Sequence, residues 1–260
     1  MKQEMMTIVS QKQLAPRIFE LVLSGQLVQE MKTPGQFLHI KVPRADLLLR
    51  RPISLSQINQ EKGECTIIYR VEGDGTKVFS EMSPGELLDV MGPLGNGFSY
   101  DFLEKDQVAF VIGGGIGIPP MMELSKRLTA QGVKVIHFLG YASKEVMYYQ
   151  EEFMAQGECR FSTDDGTYGI HGNVGNLLLD AVQEIAPDAV YACGANGMLK
   201  MVDQLFPDHP NAYLSLESRM ACGMGACYAC VKHLQDDETG SKSVKVCDEG
   251  PVFPTGKVVL

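Results

Sequence analysis

The chain has no apolar run long enough to cross a membrane. Its longest candidate, "VAFVIGGGIGIPPMM", is interrupted by four glycines and two prolines, whereas a spanning helix needs about 20 apolar residues in a row. The N-terminal "MKQEMMTIVSQKQLAPRIFE" has no apolar core of the kind a secretory signal carries, so a cytoplasmic protein is expected. Excess positive charge is also missing. Lys and Arg number 23 against 32 Asp and Glu, a net charge of -9, so neither nucleic acid nor an anionic membrane surface is the expected partner. Internal repeats and low-complexity tracts are absent. What remains is a 260-residue chain of ordinary globular composition, 45% hydrophobic and 21% charged, which fits two domains better than one. In a reducing compartment its seven cysteines read as thiols or metal ligands before disulfides.

The first hundred residues read as β. Short runs of Val, Ile, Leu and Phe place strands near 6–12, 17–24, 36–42, 52–58, 65–71 and 86–91, punctuated by "TPGQF", "SPGEL" and "GPLGNGF". Six such strands predict a small antiparallel barrel over 1–100, with a helical turn or two at "TKVFSEM". From Val108 the rhythm changes to strands alternating with helical patterns. "VAFVIGG" precedes "PPMMELSKRLTAQG", and "VKVIHFLG" precedes "KEVMYYQEEFMAQG". Then come "ECRFST", "NVGNLLLDAVQEIA", "DAVYACG", "NGMLKMVDQLF" and "AYLSLES". That is βαβ repetition, the pattern of a Rossmann-like parallel sheet, over 101–217. Residues 218–260 leave the pattern and read as a small appended module with a hairpin, "VKHLQ" and "SVKVC" around "DDETGSK".

That module holds Cys222, Cys227, Cys230 and Cys247 in the order C-x4-C-x2-C-x16-C. The spacing is that of plant-type [2Fe–2S] ligands. Gly223 and Gly225 permit a tight loop with N–H groups turned toward sulfur, and Ala221, Ala226 and Ala229 leave room. Structural zinc is the alternative. It favours paired knuckles, two cysteines on each side, and here three stand together with the fourth alone. Disulfides are a weaker alternative. Cys65 and Cys159 sit in strand-like runs and read as packing residues.

Two further constellations precede the cysteines. Arg51, Pro52, Ile53 and Ser54 form R-P-I-S at the start of a barrel strand. A planar guanidinium can clamp a pyrophosphate, and a hydroxyl beside it can meet a flavin ring atom. At the next strand Tyr69 offers a flat face, Arg70 a second cation, and Gly75-Thr76 a helix start for phosphate oxygens. In order, these favour a flavin dinucleotide over a surface arginine pair and a capped turn. "FVIGGGIGIPPM" then supplies Gly113, Gly114, Gly115 and Gly117 between a strand and a helix, where backbone can approach a pyrophosphate. It is not a strict G-x-G-x-x-G, since position 118 is Ile, and no clear acid follows about twenty residues on. A ligand-free strand–helix turn remains the alternative. Cys193 and Gly194 end another strand on the same sheet edge, as does the loop "STDDGTYG" (162–169). Lys144 stands near the expected ribose site without an arginine pair, which favours NAD over NADP.

A barrel with R-P-I-S, then G-G-G-x-G-x-P-P, then C-G-A, resembles the ferredoxin–NADP reductase superfamily over residues 1–217. Two departures stand out. Ile53 occupies a place where the superfamily has an aromatic, and the chain continues past the final strand into a cysteine module. With C-G-x-G-A-C-x-A-C added, the whole chain resembles one branch, the electron-transfer subunits of class 1B dihydroorotate dehydrogenases. The resemblance implies FAD on Arg51–Ser54, Ile68–Arg70 and Gly75-Thr76, and a [2Fe–2S] cluster on Cys222, Cys227, Cys230 and Cys247. It implies a catalytic partner subunit carrying FMN, in a heterotetramer of two of each chain, with electrons passing from FMN through the cluster and FAD to NAD. No acid–base catalytic residue is expected in this chain. Related NAD(P)H reductase subunits serving sulfite reductase, a hydrogenase or ferredoxin share the layout.

Overall fold

The computed structural model describes residues 1–260. Residues 2–94 form a closed barrel of six strands: β1 (Lys2–Ala15), β2 (Ile18–Ser24), β3 (Phe37–Ile40), β4 (Arg51–Asn59), β5 (Glu64–Arg70) and β6 (Leu87–Leu94). Their order around the barrel is β1-β2-β5-β4-β3-β6. Side chains alternate across each strand, so Leu38, Ile40, Ile53, Leu55, Ile67 and Tyr69 fill the interior. Short α1 (Asp74–Ser80) follows β5.

A seven-stranded sheet follows. It is built on β7 (Val108–Gly114), α2 (Pro120–Ala130), β8 (Lys134–Tyr141), α3 (Gln150–Met154), β9 (Glu158–Thr163), β10 (Ile170–His171), α4 (Val174–Glu184), β11 (Ala189–Cys193), α5 (Asn196–Leu205) and β12 (Ala212–Ser215). The strand order is β10-β9-β8-β7-β11-β12-β15. All neighbours are parallel until the last. There β15 (Val252–Pro254) runs antiparallel to β12, with Leu214 opposite Phe253. The expected hairpin is β13 (Val231–His233) on β14 (Ser243–Lys245).

Three details differ from the sequence reading. The pattern "KEVMYYQEEFMAQG" is not one helix. A single 3-10 turn at Lys144–Val146 is followed by extended Met147, Tyr149 at φ 63° and the five-residue α3. Burial of Met147, Tyr148 and Tyr149 outweighs the helical preference of the segment. Strands β10 and β15 carry too few residues to show a period. The third difference is the C-terminal segment, which is woven in rather than appended. Asn96 donates its side-chain N–H to the carbonyls of Glu249 (3.1 Å) and Val252 (2.8 Å) and accepts from Val252 N–H (3.1 Å). One apolar core joins Phe37, Met91 and Leu94 of the barrel to Phe110 and Leu214 of the sheet and to Cys230, Val246 and Cys247. The cysteine segment is therefore wedged where barrel and sheet meet.

Barrel and sheet are latched on the other side by α2. Glu123, 3% exposed, accepts the Ile58 N–H at 3.0 Å and the Arg127 Nε–H at 2.7 Å. Tyr149 adds a second tie, its hydroxyl accepting from Gln57 at 2.9 Å and donating to Glu20.

Candidate functional site

Strand β4 presents Pro52 and Ser54 outward, both half-buried, while Ile53 turns into the barrel. Arg51 lies across Gly75 of α1: a Cβ on Gly75 would sit 2.6 Å from Arg51 Nε and 2.9 Å from Cζ. Only glycine lets the guanidinium rest there, and this cradle fits an anionic pyrophosphate. Thr76 closes the turn, donating to Gly73 O (3.0 Å) and accepting from the Glu72 N–H (3.0 Å). On β5, Ile68 faces out toward the sheet domain and packs with its core. One reading needs correcting. Tyr69 offers no free face to a ring. It is 3% exposed inside the barrel, stacked on Phe19 at 5.9 Å and edge-on to Phe79, with its hydroxyl donating to Gln11. Strand alternation puts it on the inner side, and the same alternation turns Ile53 inward. Arg70 is exposed and paired on the surface with Glu72.

At the carboxyl edge of the sheet, Gly113 and Cys193 are paired in register. Gly117 packs directly on the Cys193–Gly194 peptide, where an added Cβ would lie 2.3 Å from Cys193 O and 2.5 Å from Gly194 N. Gly114 likewise faces Met198 and Gly194. Gly115 has φ 53° and open space around its missing Cβ, with its carbonyl held by the Tyr148 hydroxyl at 2.9 Å. Two loops thus meet at a crevice with backbone accessible on one side, which fits a dinucleotide. Burial pushes the Cys193 thiol up to about 12, so it stays a neutral, soft group. Lys144 is exposed, and its N–H donates to Thr167 Oγ1 at 2.8 Å, joining the two outer loops.

The four cysteines gather in one place: Cys222 and Cys227 lie on the loop, the Gly225 N–H between them reaches the Cys247 sulfur, and the Cys247 N–H faces Cys230. Four thiols in this order suit a [2Fe–2S] cluster. Backbone N–H groups point at the sulfurs: Met224 to Cys222 (3.4 Å), Gly225 to Cys247 (3.2 Å) and Cys247 to Cys230 (3.4 Å). Such donors favour thiolate and a bound anionic cluster. Burial opposes ionisation of Cys222, but the Met224 N–H, the Cys227 thiol and the Cys227 and Ala226 N–H groups bring it down to about 6. Gly223 and Gly225, at φ 71° and 79°, close the loop. Cys65, by contrast, is buried and pushed up to about 12, and Cys159 is raised to the same level by burial. Both are inert packing thiols.

The sequence reading missed His39. It lies on β3 opposite Pro52, is fully buried, and sits under the cysteine loop. No motif contains it; only barrel closure brings it to Gly223. Burial, then the nearby Arg50 cation, holds its pKa down. Met220 is partly buried against the core, and Met224 is 47% exposed.

Three family profiles match the chain in order. The oxidoreductase FAD-binding domain covers residues 6–100, the oxidoreductase NAD-binding domain 111–204, and the iron-sulfur cluster binding domain of dihydroorotate dehydrogenase B 217–259. Among similar proteins, the dihydroorotate dehydrogenase B (NAD(+)) electron transfer subunit of Enterococcus faecalis V583 is 68% identical, over 100% of this chain and 99% of its own. That of Streptococcus thermophilus is 52% identical over 99% and 98%. Among solved structures, an NADH-dependent reduced ferredoxin-NADP oxidoreductase, described in work on flavin-based electron bifurcation, superposes at TM-score 0.86. It is 25% identical, with 98% of this chain and 90% of that one covered.

Proposed function

Since the chain belongs to the family of dihydroorotate dehydrogenase B (NAD(+)) electron transfer subunits, we propose how its residues divide that work. The chain is an oxidoreductase subunit with FAD-, NAD- and iron–sulfur-binding parts. It serves an NAD-dependent dihydroorotate dehydrogenase of pyrimidine biosynthesis. Flavin, when bound, can exchange hydride with nicotinamide and single electrons with an iron–sulfur centre, which neither of those can do with the other directly.

The chain's own residues bind and aim. Arg51 over Gly75, with Pro52 and Ser54 beside it, would hold the flavin dinucleotide. Gly113–Gly117 and Cys193-Gly194 would hold the nicotinamide dinucleotide, with the neutral Cys193 thiol lending no charge. Cys222, Cys227, Cys230 and Cys247 would hold the cluster. The Glu123 and Tyr149 latches hold the two domains at a fixed angle.

For the partner we infer an FMN-carrying catalytic subunit, two of each chain assembling together in the cytoplasm. Exposed Leu48 (85%) and Leu49 (53%) precede Arg50, and exposed Tyr228 (64%) and Met224 lie on the cysteine loop. We take these apolar tips as its docking face. The observation carrying the reading is the four-cysteine segment, with N–H groups aimed at its sulfurs, wedged where barrel and sheet meet. The test is the purified chain. FAD and two irons per chain, with NADH oxidation by artificial acceptors and no dihydroorotate oxidation until the catalytic subunit is added, are expected. A colourless protein with one zinc, or dihydroorotate oxidation by the chain alone, overturns it.

No helix is long and apolar enough to cross a membrane. A reductase subunit for sulfite reductase, a hydrogenase or ferredoxin shares the same cofactor layout. The similarity to the NADH-dependent ferredoxin-NADP oxidoreductase favours keeping that reading as second.

A further inference from the structure

His39 is a buried polar side chain that none of the roles above uses. It is 0% exposed, and neither ring nitrogen meets a hydrogen-bond partner at bonding geometry. A polar group left unpaired at that depth is destabilising, so its place calls for an explanation. The ring lies in a seam between two segments. On one side is Gly223, whose missing Cβ would fall 2.4 Å from Nδ1 and 3.0 Å from Cε1. On the other is Arg50, the residue before the flavin-strand Arg51. The carbonyls of Arg50 and of Cys222 both lie beside the ring.

The backbone of His39 is fixed as firmly as its ring is packed. Arg50 Nη1–H donates to His39 O at 3.2 Å and to Asp89 O at 2.9 Å, and Nη2 pairs with Asp89 Oδ1 at 2.9 Å. Strand β3 also carries the ring against β4 through its register with Pro52. The imidazole therefore stands on a strand paired on both sides, against β4 and β6, and its Nδ1 edge is pressed on the backbone of Gly223. It is the one polar side chain of β3, and it faces that loop. Leucine of similar size would fill the space but would remove the one polar group that faces Cys222-Gly223.

We propose that His39 is a positioning residue, registering the cluster loop at Cys222-Gly223 on the flavin strand and so fixing where the cluster sits relative to the flavin. It touches no reacting atom; it acts through the loop. The proposal rests on the four-cysteine site being the cluster site. Residues that orient a metal's ligands, rather than bind it, commonly govern affinity by about tenfold or more.

The test compares the parent with His39→Leu and His39→Asn, each purified with FAD and iron. Iron and flavin content are measured, together with the electron paramagnetic resonance spectrum after dithionite reduction. In His39→Leu, FAD stays at the parental level. Iron is lost to a chelator at least about tenfold faster, and the g-anisotropy of the reduced cluster changes. Asparagine restores a donor near the Nδ1 position, and His39→Asn moves both readouts back toward the parent. Parental spectra and iron loss in both variants overturn the proposal, as does a His39→Asn no better than His39→Leu. If His39→Leu does not fold, His39→Ala takes its place in the same comparison: faster iron loss and an altered spectrum in His39→Ala, with His39→Asn nearer the parent, support the role, and parental values in His39→Ala refute it. A parent chain free of iron defeats the cluster reading itself, an outcome distinct from parental behaviour in iron-loaded variants.

Discussion

Arg51 lies over Gly75, a residue with no side chain, and we propose it as the cation for the flavin pyrophosphate. A charged hydrogen bond of this kind contributes about 1.5–3 kcal/mol. Arg51→Ala should therefore weaken FAD binding by roughly 10- to 150-fold, read by flavin fluorescence on dilution, with iron content unchanged. Arg70→Ala, whose partner is Glu72, should change FAD affinity by less than about threefold. His137 carries a separate prediction. Burial holds its pKa down to about 4, against the backbone hydrogen bond to Glu158 that raises it. The unfolded chain takes up this proton near pH 6.5, and the folded chain refuses it until about pH 4. Stability therefore falls as pH drops through that window, by about 3 kcal/mol in all for this group. Urea unfolding at pH 7.5 and 4.5 should show that slope, and His137→Gln should be flatter by that amount.

At the scale of elements, the crevice proposed for nicotinamide is made by two loops that meet backbone to backbone where Gly117 packs on the Cys193–Gly194 peptide. Gly117→Ala would place a methyl against the Cys193 carbonyl and force the β7–α2 turn off the β11 loop. A displacement of that size at a binding loop costs about tenfold or more. The expected result is a raised KM for NADH with FAD and iron retained. An unchanged KM contradicts the crevice. The elements themselves were largely legible. Barrel strands of period 2 and apolar strands before helical patterns announced their places, because burial on one or both faces writes directly into the residue order. Ranges such as 108–114 and 158–163 coincide with β7 and β9. What was not legible depends on distant partners. The three-residue β15 is a strand only because β12 lies beside it. Tyr69 and Ile53 face inward by an alternation whose phase barrel closure sets. His39 belongs to no motif and is brought to Cys222 by a contact 183 residues distant, the difference 222 − 39.

The whole molecule is a barrel and a sheet with the cysteine segment driven between them, sharing one core. This arrangement joins the cluster loop to the flavin strand and leaves its other side, with Met224 and Tyr228, open. Leu48→Asp, at a side chain 85% exposed, should leave FAD and iron in place. It should weaken co-purification with the catalytic subunit by about tenfold or more, as loss of a buried apolar anchor does. The four-cysteine spacing was readable in the sequence, whereas its wedged position was not, since that follows from Asn96 and the shared core. On the proposed division of work, NADH and the cluster exchange electrons inside this one chain. Electron paramagnetic resonance of the purified, FAD- and iron-loaded protein, frozen after anaerobic addition of NADH and without any partner, tests this. The rhombic signal of a reduced [2Fe–2S] centre is expected, abolished in Cys230→Ser. A flavin bleached by NADH with no such signal, in a protein whose cluster dithionite does reduce, would contradict it.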